Sequence, residues 1–291
     1  MTHHEIPGRV ALATGQGGLS KIVITSNAAS AEVYLHGAHV TAFQKKGEQP
    51  LLFMSGKSLF AADKPIRGGV PICFPWFGGR DGDVAHGFAR VTGWELVKTA
   101  TAPDGVVTVQ LRLPEVPMRA DWKGLQAEFI VTVSDTLTME LRVTNNSSHD
   151  FTFEGCLHSY FSVGDISQVS ITGLKELQFI DKVENFARKQ ENGEALRINS
   201  EVDRVFMNAT GPVEIADAKW KRSIRVEKSG SASTVVWNPW IAKSKAMADF
   251  GDEEYKGMVC VEAGNVGENK VTALPPGKTS ALKVTISSQG L

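Results

Sequence analysis

The chain has 291 residues, of which 31 are basic and 32 acidic, giving a net charge of −1 and a pI near 6.7; no global field draws it to nucleic acid or to an anionic membrane surface. Hydrophobic residues make up 42% and charged residues 22%, the composition of a soluble globular protein able to bury a core without staples. A disordered chain is excluded, and so is a transmembrane helix, because no apolar run approaches the roughly 18 residues that cross a bilayer.

Met1 to Pro7 contain no basic stretch followed by an apolar one, so no secretory signal is expected and the protein is assigned to the cytoplasm. Residues 1–18 are expected to form a loosely ordered segment. From there on the dominant pattern is apolar alternation at period two, bounded by Gly, Pro, Asn and Asp, which marks half-buried strands. It occurs at 21–25, 31–35, 39–43, 106–113, 125–133, 137–143, 151–163, 224–227, 259–263 and 282–286. Ser134, Asp135 and Thr136 form a tight hairpin between two such runs, and Asn145 to Ser148 the next turn, so successive strands are antiparallel neighbours. Helical periodicity is confined to short stretches near 181–189 and 246–255. With no βαβ alternation, no internal repeat and no linker, the expectation is one all-β, mainly antiparallel domain over 1–291, a large β-sandwich with a few short helices in loops.

Several motifs carry no chemistry. Gly56-Lys57-Ser58 ends like a phosphate-binding loop, but Leu51 stands where that loop needs glycine. Gly15-Gln16-Gly17 lacks its third glycine, at Ser20, and no βαβ unit follows it. His36 and His39 point to opposite faces of a strand and have no third ligand nearby, so they are taken as structural. Cys73, Cys156 and Cys260 are odd in number and in no C-x-x-C spacing; they are expected to be reduced core residues. No metal or cofactor is expected.

Three regions are richer. Pro65 to Gly79, dense in glycine, proline and aromatics, suits an ordered ligand-holding loop. It is followed by His86-Gly87-Phe88-Ala89-Arg90. Arg67 and Arg90 can converge on an oxyanion, which a planar guanidinium matches in bidentate fashion, or each can pair with a surface acid. In the 151–163 run, strand parity places Glu154, Cys156, His158, Tyr160 and Ser162 on one polar face, opposite an apolar one. In 258–265 a single carboxylate, Glu262, interrupts an apolar strand; it needs a donor, a buried cation or a ligand.

Taken together, the blocks at 65–75, 86–90, 157–161 (Leu-His-Ser-Tyr-Phe), 181–186 (Asp-Lys-Val-Glu-Asn-Phe), 201–205 (Glu-Val-Asp-Arg-Val), 236–240 (Val-Trp-Asn-Pro-Trp) and 259–264 (Val-Cys-Val-Glu-Ala-Gly) resemble the glucose-6-phosphate 1-epimerases, or hexose-6-phosphate mutarotases. The resemblance implies a galactose-mutarotase-like sandwich with the sugar on a concave face. It implies His158 and Glu262 as the catalytic pair, Arg67 and Arg90 gripping the 6-phosphate of a hexose 6-phosphate, and Asp203 touching the sugar. Many members carry a substrate-binding glutamine before the His-Gly-Phe/Leu-Ala-Arg block; this chain has Ala85 there, and Arg80, Asp81 or His86 can compensate, His86 being expected to bind substrate. Trp76, Phe77 or Trp240 can pack on the sugar's apolar face, or serve the core.

Anomer interconversion needs a base for the C1 hydroxyl and an acid for the ring oxygen. An ionised Glu262 and a protonated His158 are expected in these roles, each worth about 10²–10⁴-fold. The competing readings are an epimerase of unphosphorylated aldoses, a sugar-binding module without activity, and a glycosidase using Glu154 and Glu262. No nucleic-acid or membrane partner is expected, and the protein is expected to be a monomer.

Overall fold

A computed structural model describes residues 4–115 and 119–291. Val10–Thr14, Ser20–Thr25, Ala29–Tyr34 and His39–Lys45 form a four-stranded antiparallel meander. The first of these corrects the expectation of a loose segment over 1–18, as far as it concerns the described residues. Val10 is buried, and Val10 to Thr14 pair with Ile24 to Ser20, so ladder hydrogen bonds and apolar burial both fix this stretch.

Two eight-stranded antiparallel sheets make up most of the rest. In spatial order, one runs Val169–Thr172, Val213–Asp217, Arg222–Ser229, Thr279–Gly290, Leu137–Asn145, Leu125–Val133, Val107–Arg112 and Glu95–Thr101. Its strands alternate as the sequence does: Ala127, Phe129, Val131 and Val133 are fully buried while the residues between them are half exposed. The other sheet, called the site sheet below, runs Ala187–Gln190, Gln178–Asp181, Val202–Met207, Ser233–Asn238, Met258–Asn265, Gly155–Leu157 and Ile72–Cys73, with Tyr160–Ser162 also paired to Met258–Asn265. Its central strands are buried on both faces. One face, with Leu157, Phe161, Phe206, Val236, Val259 and Val261, joins the apolar cluster shared with the other two large sheets. The opposite face carries the polar side chains.

Three expectations change. Residues 181–189 form a hairpin rather than a helix: the Asp181 carboxylate accepts the N–H groups of Val183 and Glu184. Asn185 and Phe186 then take left-handed backbone (φ 50° and 61°), which a right-handed helix cannot continue. The α-helix near 246–255 lies earlier, at Trp240–Ala246, and only a 3₁₀ turn, Glu254–Gly257, follows. The 151–163 run is three short strands, Phe151–Phe153, Gly155–Leu157 and Tyr160–Ser162. Among the described residues, no helix is long and apolar enough to cross a membrane.

Candidate active site

The site rests on strand register. Cys156 faces Gly264, Leu157 faces Ala263, and beyond a two-residue break Tyr160 faces Cys260. At the break the Ser159 N–H bonds the Leu157 carbonyl and the His158 N–H bonds that of Pro71. The count of residues is kept on both strands, so His158 stands opposite Glu262. Parity adds the rest: Val235 faces Glu262, Trp237 faces Cys260, and Asp203 faces Trp237. Residues 203, 237, 262, 158 and 160 thus share one face, and His158 Nε2 lies 3.2 Å from Glu262 Oε1. His158 is 7% and Glu262 1% exposed. The imidazole stacks on Tyr160 (ring centroids 4.8 Å, 11°) with Trp237 edge-on, which limits it to one orientation. Glu262 Oε2 accepts the Cys156 thiol at 3.5 Å.

Over this floor opens a cavity of about 360 Å³. One wall is the 65–79 loop, pinned on either side of Arg67: His36 Nε2 meets the Lys64 carbonyl and His39 Nε2 that of Gly68, both at 2.7 Å. Gly69 is required there, because with φ 58° a Cβ on it would lie 2.3 Å from the Val40 carbonyl oxygen. Arg67 bonds Asp249 through Nε and a terminal nitrogen, and the Tyr160 hydroxyl through the other. Phe77 and Gly78 of the same loop continue this wall to His86, and Lys182 (Nζ 3.0 Å from Asp203 Oδ2), Lys243 and Met247 also line the cavity.

Burial dominates the electrostatics. It pushes the His158 imidazole well below its ordinary value, helped by His86, Arg90 and Arg67. It pushes Glu262 well above the usual carboxylate range, helped by Asp203 and opposed by Lys182 and Cys156. Burial thus works against both members of the expected resting pair, the ionised carboxylate and the imidazolium. His86 is driven down to about 3 by burial and by Arg90, Lys182 and Arg67; its Nδ1 accepts the Gly78 N–H at 3.3 Å, which leaves Nε2 as the donor.

The structure brings His158, Glu262, Arg67, Asp203 and His86 to one cavity. It does not bring Arg90 or Trp240 to its lining. Arg90 is buried, with a terminal nitrogen donating to the Ala85 carbonyl at 2.6 Å and Nε without a partner. Trp240 opens the short helix at φ 52° and packs on Tyr255, so its ring is spent on a packing contact; Trp237 supplies the aromatic face instead. Trp76 packs against Phe88 and under Arg80. Glu154 is turned away, its two oxygens accepting the N–H groups of Phe77 and Gly267, which leaves no Glu154–Glu262 pair for glycoside hydrolysis. The residues the sequence did not single out are Trp237, Lys182, Lys243, Met247 and Asp249. Parity from Glu262 outward through the paired strands is the signal that finds Trp237. A second cavity, of about 300 Å³ between Phe74, Phe88 and Trp122, is lined among the described residues by Glu115, Arg119 and Lys123 but by no histidine.

A large antiparallel sandwich with an imidazole facing a carboxylate on the floor of a polar cavity is the architecture of an acid–base enzyme acting on small polar substrates. The chain belongs to the aldose 1-epimerase family, whose model matches residues 20–287. A Cenchrus ciliaris protein named "Putative glucose-6-phosphate 1-epimerase" is 36% identical over 93% of this chain and 85% of its own length. An Escherichia coli protein of the same name is 35% identical over 89% and 87%. The crystal structure of a Salmonella typhimurium protein described as a putative mutarotase superposes with a TM-score of 0.91 at 30% identity, covering 99% of this chain and 96% of that one. The expected fold class is the one observed.

Proposed function

We propose that this enzyme interconverts the α and β anomers of hexose 6-phosphates, chiefly glucose 6-phosphate, with His158 and Glu262 as its acid–base pair. The observation that carries the reading is the 3.2 Å approach of His158 Nε2 to Glu262 Oε1 on the cavity floor. Ring opening removes the C1 hydroxyl proton and delivers one to the ring oxygen. The proton count of the pair is unchanged: Glu262 gains what His158 loses. An imidazolium beside a carboxylate thus becomes a neutral pair as the sugar opens, and the neutral pair is what burial favours. Rotation about C1–C2 and reclosure invert the anomeric centre. A bound dianion offsets the Arg67 and Arg90 charges that hold His158 neutral, so substrate itself raises the proton affinity of the acid.

In this reading Arg67 takes the phosphate with the N–H groups left over from Asp249 and Tyr160, since a guanidinium has five. Arg90, buried and outside the lining, adds only its charge. Asp203, oriented by Lys182, and the donor nitrogen of His86 meet sugar hydroxyls, with Trp237 against the apolar face. The buried free cysteines suit a reducing cytoplasm.

The test is anomerisation of glucose 6-phosphate, followed by polarimetry or an anomer-specific dehydrogenase. His158→Ala and Glu262→Gln are expected to lose about 10²–10⁴-fold in rate while remaining folded. Arg67→Ala is expected to raise KM for glucose 6-phosphate and leave free glucose unaffected. Full activity in both pair variants rules the mechanism out. Equal loss on both sugars in Arg67→Ala points to an epimerase of unphosphorylated aldoses.

A further inference from the structure

We propose that His158, Glu262 and Cys260 form a binding site for a thiophilic divalent cation such as Zn²⁺, which would occupy the catalytic floor and block it. Imidazole nitrogen, carboxylate oxygen and Cys260 Sγ all lie within 4.8 Å of one another, and all three residues are buried. Zinc bonds of about 2.0–2.3 Å place neighbouring donors about 3.3–3.7 Å apart in a tetrahedron. His158 and Glu262 are already 3.2 Å apart, so only the sulfur must close in, by about 1 Å. His158 and Glu262 line the cavity, which gives the ion an entry path and a fourth position open to water.

Charge favours the same outcome. Among the described residues no lysine or arginine forms an ion pair with Glu262: Lys182 is paired with Asp203 and Arg67 with Asp249. A divalent ion held by one carboxylate and one thiolate is neutral overall, whereas either anion alone in this setting is costly. Binding releases two protons to solvent, one from the Cys260 thiol and the one shared by His158 and Glu262. Cys260 is packed with Tyr160, Trp237 and Met258, which holds its sulfur just beneath the lining residues His158 and Glu262. Cys156, although 3.5 Å from Glu262, stands beside Gly264 and belongs to no three-donor set with His158.

The experiment uses the untagged full chain, with Zn²⁺ titrated against a chromophoric chelator and Co²⁺ as a spectroscopic probe. One ion per chain is expected, with the strong near-ultraviolet thiolate-to-cobalt band of a sulfur-ligated site. Cys260→Ser is expected to lose that band and weaken zinc at least tenfold; Cys156→Ser is expected to keep both. His158→Ala is the second variant, expected to weaken zinc as Cys260→Ser does. No bound ion, a cobalt spectrum without the thiolate band, or a band that survives Cys260→Ser overturns the proposal. Zinc is also expected to suppress anomerisation reversibly on chelation. That arm alone rests on the proposed activity, so ion binding in a chain inactive under every condition would refute the activity and leave the metal site standing.

Discussion

Among the described residues the polar partners of Glu262 are an imidazole and a thiol, and that setting governs its response to pH. Turnover needs one proton on the pair. The acid limb of the rate therefore marks a second proton reaching His158, below the ordinary histidine value of about 6.5 because burial depresses it. The alkaline limb marks loss of the last proton from Glu262, above the ordinary carboxylate value of about 4.3 because burial raises it. In kcat/KM, which reports the free enzyme, the acid limb is expected below 6.5, and an acid limb centred at or above 6.5 contradicts the assignment. His39, fully buried with one carbonyl partner, is pushed down to about 3, chiefly by burial. The unfolded chain takes up this proton first as pH falls, so the stability His39 contributes is whole above pH 6.5 and drains between 6.5 and 3. The slope is at most about 1.4 kcal/mol per pH unit. Urea unfolding at several pH values checks this, with His39→Gln expected to flatten that part of the curve. His158 and Glu262 were readable from sequence because a charge inside an apolar strand demands an explanation. Asp249 and Lys243 were not, since an acid and a base in polar loops look like solvated surface until the fold turns them inward.

At the level of elements, the site depends on two strands keeping count across a break. Gly264 makes room for Cys156: a Cβ there would lie 2.8 Å from both the Cys156 Cβ and the Gly155 carbonyl oxygen. Gly264→Ala must spread the strand pair two residues from Glu262, and a loss of about 1–3 kcal/mol is expected, read as a lower melting temperature with a fall in turnover. Strands such as 125–133 were legible because one face is wet and alternation survives. Site-sheet strands are buried on both faces, so their sequence is nearly continuous apolar and parity shows only through His158 and Glu262. At 181–189 the helical spacing is overridden by the Asp181 cap and the left-handed backbone of Asn185 and Phe186, which apolar periodicity does not report.

For the whole molecule, the sandwich class was visible in the number of alternating runs and the lack of long helices, but the partition of strands among sheets was not. Order within a sheet is set by pairings far apart in the chain, such as Val235 with Glu262 and Asp203 with Trp237, and no local pattern encodes them. Such non-local contacts close slowly because loop entropy is lost before they form.

The strand Thr279–Gly290 lies in the middle of its sheet, between Arg222–Ser229 and Leu137–Asn145. During synthesis the two flanking strands emerge from the ribosome long before the piece that joins them, and each waits with one open edge. A nascent chain stalled before residue 279 is expected to be cut readily by protease outside the 10–45 meander, and a version released without 279–290 to aggregate. Resistance to proteolysis should arrive in a single step once that strand has cleared the exit tunnel.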